Sequence, residues 1–134
     1  MIVDASVWSS AELGRELDHH ISLEWRERQI RRGVSLFIPS LALTEVAGAV
    51  ARATGDVLRG AEAVRTMEAI RSLKVFPLGD ELMKHATALA ARLRLRGADA
   101  VYVALAHRRG LPLVTWDSEV RERAAPLVRV VRPG

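Results

Sequence analysis

Four carboxylates stand in surroundings that ordinary surface acids lack: Asp4 in IVDAS, Glu45 in ALTEVAGAV, Asp99 in GADAVYVALA and Asp117 in LVTWDSEV. Glu45 is the most informative. One helical turn away on either side it has Leu41, Ala42, Gly48 and Ala49, so no basic residue lies within reach on its own helix. An ionised carboxylate buried there without a partner is costly, and it needs a cation, a proton or an arginine from elsewhere in the fold. Asp99 stands just before an almost wholly apolar run from Ala100 to Ala106. Taken singly, Asp4, Asp99 and Asp117 each read as an ordinary helix N-cap. Caps leave Glu45, in the middle of a helix, unexplained. If the four acids converge, like charges within about 4–6 Å raise one another's pKa unless a divalent ion neutralises them. Oxygen-only ligands with room for water suit Mg²⁺ or Mn²⁺ rather than Zn²⁺.

Several elements must cooperate to bring these acids together. Ile2 and Val3 read as a buried strand with Asp4 at its C-terminal end. Leu13, Leu17, Ile21 and Trp25 recur at helical spacing and predict one helix from Trp8 to Arg32, stopped by Gly33. SLFIP is a short strand closed by Pro39, and Ser40 is the expected N-cap of the helix LALTEVAGAVARA, which ends at Gly55. Asp56 caps the next helix, predicted to run to about Leu73 on a stripe of Leu58, Ala61, Val64, Met67 and Ile70. KVFPL follows as a strand, then GDELMKHATALAARLRLRG as a helix capped by Asp80, and ADAVYVALAHRRG as another helix. PLVTW, DSEVRERA and LVRVVRP read as strand, helix and strand. Short strands alternating with helices imply a layered α/β fold with a mostly parallel sheet of about four to five strands. In open sheets of this kind ligands bind at the carboxyl ends of the strands, so Asp4 and Asp117 are expected at one edge.

Composition narrows the class. The 134 residues show no linker, repeat or low-complexity segment and read as one domain, 1–134, with 49% apolar residues to build a core. The absence of cysteine excludes disulfides and thiolate metal sites and agrees with a reducing cytosol. Neither a signal-peptide pattern nor an apolar stretch of membrane-spanning length is present, so the expectation is a soluble, cytoplasmic protein. A net charge of +4 with arginine as nearly every basic residue admits a polyanionic partner. Arg94 and Arg96, closest in sequence to Asp99, are the favoured contacts to it.

IVDAS, the helical glutamate of LTEV, the run DAVYVALAHRRGLPLVTWD and the chain length together resemble PIN-domain proteins. Most closely they resemble the VapC-type toxin ribonucleases of prokaryotic toxin–antitoxin modules. Each motif alone is weak; their order over essentially the whole chain makes the resemblance specific. It implies a three-layer α/β/α sandwich with an acidic pocket at the strand ends. Residue by residue, Asp4, Glu45, Asp99 and Asp117 match the family's acidic quartet, and Ser6 and Thr115 match the hydroxyls that accompany the first and last aspartates. The resemblance implies a Mg²⁺- or Mn²⁺-dependent endoribonuclease that leaves a 5′-phosphate and a 3′-hydroxyl. Asp4, Glu45 and Asp99 would hold the ion directly or through water, Asp117 a second ion or its waters, and Ser6 and Thr115 would orient these groups. It further implies a homodimer, and inhibition by a cognate VapB-type antitoxin whose C-terminal segment lies in the groove.

Other readings fit less well. A PIN nuclease of general RNA processing shares every motif and differs only in its setting. A receiver domain wants paired acids at the first strand end and a lysine after a late strand, whereas Asp4 is followed by Ala5 and the lysines are Lys74 and Lys84. A haloacid-type phosphatase wants an aspartate where Ser6 stands, and a binding module needs no complete quartet. His19 and His20 point about 100° apart on a helix and do not share an ion, while His85 and His107 have no second imidazole at helical spacing. Trp8, Trp25 and Trp116 read as core or rim, with stacking of a base at the site mouth as the alternative for Trp116.

Overall fold

Ile2 and Val3 are fully buried because strands pair with them on both sides: Ile2 lies in register with Phe37 and Leu113, and Val3 with Val114. In the computed structural model, which describes all 134 residues, they form β1 (Ile2–Val3), the middle of a five-stranded sheet. Its order is β3 (Leu73–Phe76), β2 (Leu36–Pro39), β1, β4 (Leu113–Val114), β5 (Val130–Val131), and every pairing is parallel. Helices α1 (Ala5–Glu12) and α2 (His19–Arg31) connect β1 to β2, and α3 (Leu41–Thr54) and α4 (Val57–Glu68) connect β2 to β3. The chain returns through α5 (Asp80–Leu93) and α6 (Gly97–Arg109) to β4, and α7 (Ser118–Ala124) leads to β5.

Parallel crossovers are right-handed. The outward path through β2 to β3 therefore sets α1 to α4 on one face, and the return to β4 and β5 sets α5 to α7 on the other. This is the α/β/α sandwich expected of the sequence. The winding direction reverses between β1 and β4, and such a reversal leaves a crevice beyond the carboxyl ends of the two strands. Asp4 leaves β1 there, and Thr115 to Asp117 leave β4. The core runs through the sheet into α6, which buries every residue from Ala100 to Ala106 against β1, β2, β4 and α5.

The elements depart from expectation in instructive places. The helix predicted from Trp8 to Arg32 is two helices, α1 and α2, separated by residues 13–18, and Leu17 of the supposed stripe is 99% exposed. The pair folds back on itself because polar groups join it: Ser10 Oγ lies 2.6 Å from Ser22 Oγ, and Arg26 pairs with Glu12. The helix after Asp56 ends at Glu68, and Leu73 belongs to β3 in register with Leu36, where sheet pairing outweighs its helical spacing. The buried face of α4 is Gly60, Ala63 and Met67, and Leu58 is exposed. Helix α3 approaches too closely for a larger residue, since a Cβ on Gly60 would stand 2.5 Å from the carbonyl oxygen of Ala47. Asp56 and Asp117 do cap their helices, accepting from Leu58 N at 2.9 Å and Val120 N at 3.0 Å. Ser40 holds the N-cap position of α3 as expected but makes no side-chain cap bond, and Gly79 rather than Asp80 takes the cap position of α5. No helix is long and apolar enough to cross a membrane.

Candidate active site

Asp4 is placed by the strand it ends. Its N–H donates to Val114 O at 2.9 Å, which fixes its backbone beside β4. Its side chain makes no cap bond to α1. Instead Oδ2 accepts from Ser6 Oγ at 2.6 Å and from Thr115 Oγ1 at 2.7 Å. Those hydroxyls in turn accept backbone N–H groups, Ser6 from Trp116 at 3.3 Å and Thr115 from Asp117 at 3.0 Å. One carboxylate oxygen thus ties the loop after β1 to the loop after β4 across the crevice.

Asp99 is not a cap: it lies in the first turn of α6, and the residue at the cap position is Arg96. Arg96 reaches both outer acids, donating from Nε to Asp99 Oδ2 at 2.8 Å and from Nη2 to Asp117 Oδ2 at 2.7 Å. Its own side chain is 70% exposed, while those of Asp99 and Asp117 are 17% and 24% exposed. The guanidinium therefore lies over the two carboxylates from the solvent side. Arg96, expected as a contact to nucleic acid, is in this structure engaged by the two acids. Arg94 takes the left-handed backbone position ending α5, with φ of +55°, and its exposed side chain enters no ion pair.

Glu45 projects from α3 on the other side of Asp4. It accepts from the buried Tyr102 hydroxyl at 2.7 Å. Burial pushes the Glu45 carboxyl above the ordinary range; the Tyr102 bond opposes this, while Asp4 and Asp99 add to it and Arg96 draws it back. Burial likewise raises Asp99, against its bond to Arg96, with Asp4 and Asp117 raising it further. The Tyr102 phenol is pushed far up, first by burial and then by Asp4 and Glu45, so it stays protonated and its proton is available to Glu45. Glu45 feels Asp4 and Asp99, Asp99 feels Asp4 and Asp117, and the guanidinium of Arg96 offsets both Glu45 and Asp99.

As the side chains lie, no three of them converge closely enough to ligate a single ion. Asp4 is turned into Ser6 and Thr115, and Asp99 and Asp117 are drawn onto Arg96. The donor set nevertheless suits a hard divalent cation: oxygen ligands only, partly desolvated, in excess of the local positive charge. The one resident cation, Arg96, lies on the solvent side with its side chain 70% exposed.

Two residues of this edge escape a reading of the sequence. Tyr102 lies inside the apolar run of α6, where an aromatic reads as core, yet it stands three positions after Asp99 and so on the same helix face. Arg52 lies seven positions after Glu45 on α3, again the same face, and lines a cleft of about 550 Å³ that Ser6, Glu45 and Trp116 also line. Trp116 is half-buried, as expected of a rim residue, and its Nε1 donates to Ser22 Oγ at 2.8 Å. Trp8 and Trp25 belong to the core.

Comparison with known proteins agrees with this architecture. The PIN domain matches residues 1–126. Ribonuclease VapC3 of Pyrobaculum aerophilum is 32% identical over 133 residues, covering 96% of this chain and 97% of its own. Among solved structures, the Mycobacterium tuberculosis toxin VapC20, described as cleaving the sarcin–ricin loop, superposes with a TM-score of 0.78 at 20% identity, over 98% of both chains. DNA-bound VapBC from Salmonella typhimurium gives 0.71 at 21% identity, over 99% of this chain and 97% of that one. The sheet order, the acids at its switch point and these likenesses agree, and the chain belongs to the PIN-domain family, in its VapC branch.

Proposed function

We propose that the protein is a divalent-metal-dependent endoribonuclease, the toxin of a VapBC-type pair. The observation that carries this reading is the gathering of Asp4, Glu45, Asp99 and Asp117 around the crevice between β1 and β4 with only Arg96 as counter-charge. Asp4, Glu45 and Asp99 would hold a Mg²⁺ or Mn²⁺ ion, and Asp117 a second ion or its waters. Such an ion, when bound, supplies a water of lowered pKa and a Lewis acid for a phosphate oxygen.

The chain's own groups do the rest. Ser6 and Thr115 fix the Asp4 carboxylate through one oxygen, and the other would serve the ion. Tyr102 fixes one oxygen of Glu45 and cannot act as a base, because its phenol stays protonated. Arg96 keeps Asp99 and Asp117 from repelling each other, and once released from them it is the cation nearest to an incoming phosphate. Trp116, held at its indole nitrogen, stands beside the crevice as a surface for a base. The VapC3 relative supports RNA as substrate, and the VapBC structures from Salmonella typhimurium and Rickettsia felis support a VapB-type antitoxin as partner. A homodimer, and a single domain over 1–134, belong to the same proposal.

The experiment is cleavage of a panel of structured and single-stranded RNAs by the purified protein in Mn²⁺, in Mg²⁺ and in EDTA, beside Asp99→Asn. Cutting that needs the ion and is lost in the variant supports the reading. Equal cutting by the variant removes the quartet from the mechanism.

A further inference from the structure

The cleft beside the acidic edge is built around an unpaired arginine. Of the residues lining it, Arg52 alone is basic, and no ion pair of the protein uses it. Glu45 and Arg52 share one face of α3, about 10 Å apart along the axis. Gly48 lies between them. A Cβ at Gly48 would stand 3.0 Å from Arg52 Nη1, so the bare backbone there lets the guanidinium lie back along the helix toward Glu45. Across the cleft, Trp116 is held by its bond to the fully buried Ser22 and presents a fixed wall.

The charges of the cleft limit what it accepts. Glu16, Asp18 and Glu45 line it together with Arg52, so a run of phosphates would be repelled. One phosphate on the guanidinium is tolerated, and the rest of the ligand must be neutral and offer N–H donors to carboxylates and hydroxyls. A nucleobase does this. The volume lies in the range of small-ligand sites rather than of a duplex groove.

We propose that this cleft seats the single-stranded nucleotide flanking the scissile bond, with Arg52 pairing with its phosphate and Trp116 packing against its base. The inference rests on the ribonuclease reading and adds a substrate subsite to it.

The test measures RNA binding and cutting separately. A fluorescein-labelled single-stranded RNA is titrated with Asp99→Asn protein at several salt concentrations and followed by anisotropy. Adding Arg52→Ala is expected to weaken binding about five- to tenfold. It should also lower the slope of log K against log salt by about 0.7, the share of one phosphate contact on a single strand. Arg52→Lys should keep the slope and recover part of the affinity. Gly48→Ala, which shifts the guanidinium without removing it, should weaken binding about two- to threefold. With the site acids intact, Arg52→Ala should raise KM and leave kcat and the melting temperature nearly unchanged. Unchanged affinity and slope in Arg52→Ala overturn the subsite. If RNA binding depends on Arg52 but the unmutated protein cuts no RNA, the subsite stands as an RNA contact and the ribonuclease reading fails. If the protein cuts RNA and KM ignores Arg52, the subsite alone fails.

Discussion

Glu12 and Glu45 are half-buried glutamates on helices of the same layer, and the fold treats them in opposite ways. Glu12 on α1 is paired with Arg26 of α2, with side chains only 22% and 12% exposed. Glu45 on α3 makes no ion pair: it receives a neutral phenol, and Asp4 and Asp99 act on it with Arg96 only partly offsetting them. The chain has eighteen arginines, so the missing partner is not a matter of supply. Where charge is balanced the pair joins two helices. Where it is left unbalanced, the acids raise one another's pKa, and on the proposed reading the imbalance is what a bound cation would relieve.

The largest effect that tests this contrast is on activity. Glu45→Gln keeps the shape and the Tyr102 bond but removes the charge, and it should lower the initial rate of RNA cleavage by about 100-fold or more. Glu12→Gln should leave the rate within about twofold. A comparable loss in both would mean that the Glu12 pair also shapes the site, and the division into scaffold and site would fall.

Metal binding gives the next largest difference. An ion that binds only the folded protein stabilises it by about 2.7 kcal/mol at a hundred times its dissociation constant. Mn²⁺ should therefore raise the melting temperature of the unmutated protein and of Glu12→Gln, and do so much less for Glu45→Gln. Differential scanning fluorimetry over a Mn²⁺ series measures this without reference to cutting. Equal shifts in all three proteins would remove Glu45 from the ion's ligands.

In EDTA the order of stabilities should reverse. Glu12→Gln leaves Arg26 buried without its partner and should cost about 1–2 kcal/mol in urea unfolding. Glu45→Gln relieves repulsion from Asp4 and Asp99 and should raise the melting temperature by a few degrees. The sign follows from linkage. The folded carboxyl of Glu45 titrates above its ordinary value of 4.5, so the fold favours the protonated form more than the unfolded chain does, and stability is lost as pH rises from that value through the folded titration. The gain from Glu45→Gln should thus be present at neutral pH and fade toward pH 4. A loss of stability at both pH values would show Glu45 to be a structural acid like Glu12.

The same contrast explains how much of the protein is legible in its sequence. Glu45 stands out because nothing on its own helix answers its charge, and Asp4 and Asp117 because strands lead into them. These are local facts. The partners are not local: Arg96 bonds Asp117 across 21 positions, Tyr102 reaches Glu45 across 57, and Thr115 reaches Asp4 across 111. The alternation of strand and helix gives the parallel sheet. The break between α1 and α2 is hidden because Leu13, Leu17 and Ile21 keep a helical period through a segment where tertiary bonds turn the chain. The end of α4 is hidden because Ile70 and Leu73 continue its period while Leu73 pairs in the sheet.

Histidine offers a third treatment of charge, and the smallest effect. His85 and His107 lack imidazole partners on their own helices and meet across α5 and α6, with His85 Nε2 and His107 Nδ1 2.9 Å apart and the rings stacked. One nitrogen must donate and the other accept, so the contact is lost when both rings carry two protons. Burial, then His107 and Arg108, hold His85 below its ordinary value of 6.5. Above that value both folded and unfolded chains are neutral at this position, and it adds no slope. As pH falls below it the unfolded chain binds the proton first, so stability declines until the folded ring titrates too. The pair is near the surface, and solvent screening should hold the loss below about 1 kcal/mol. Melting temperatures in EDTA between roughly pH 7.5 and 5.5, taken as unmutated protein minus His85→Gln, isolate this effect from the carboxylates common to both. The difference should shrink as pH falls, and a difference constant across that range would show the imidazole contact to be packing without electrostatic content.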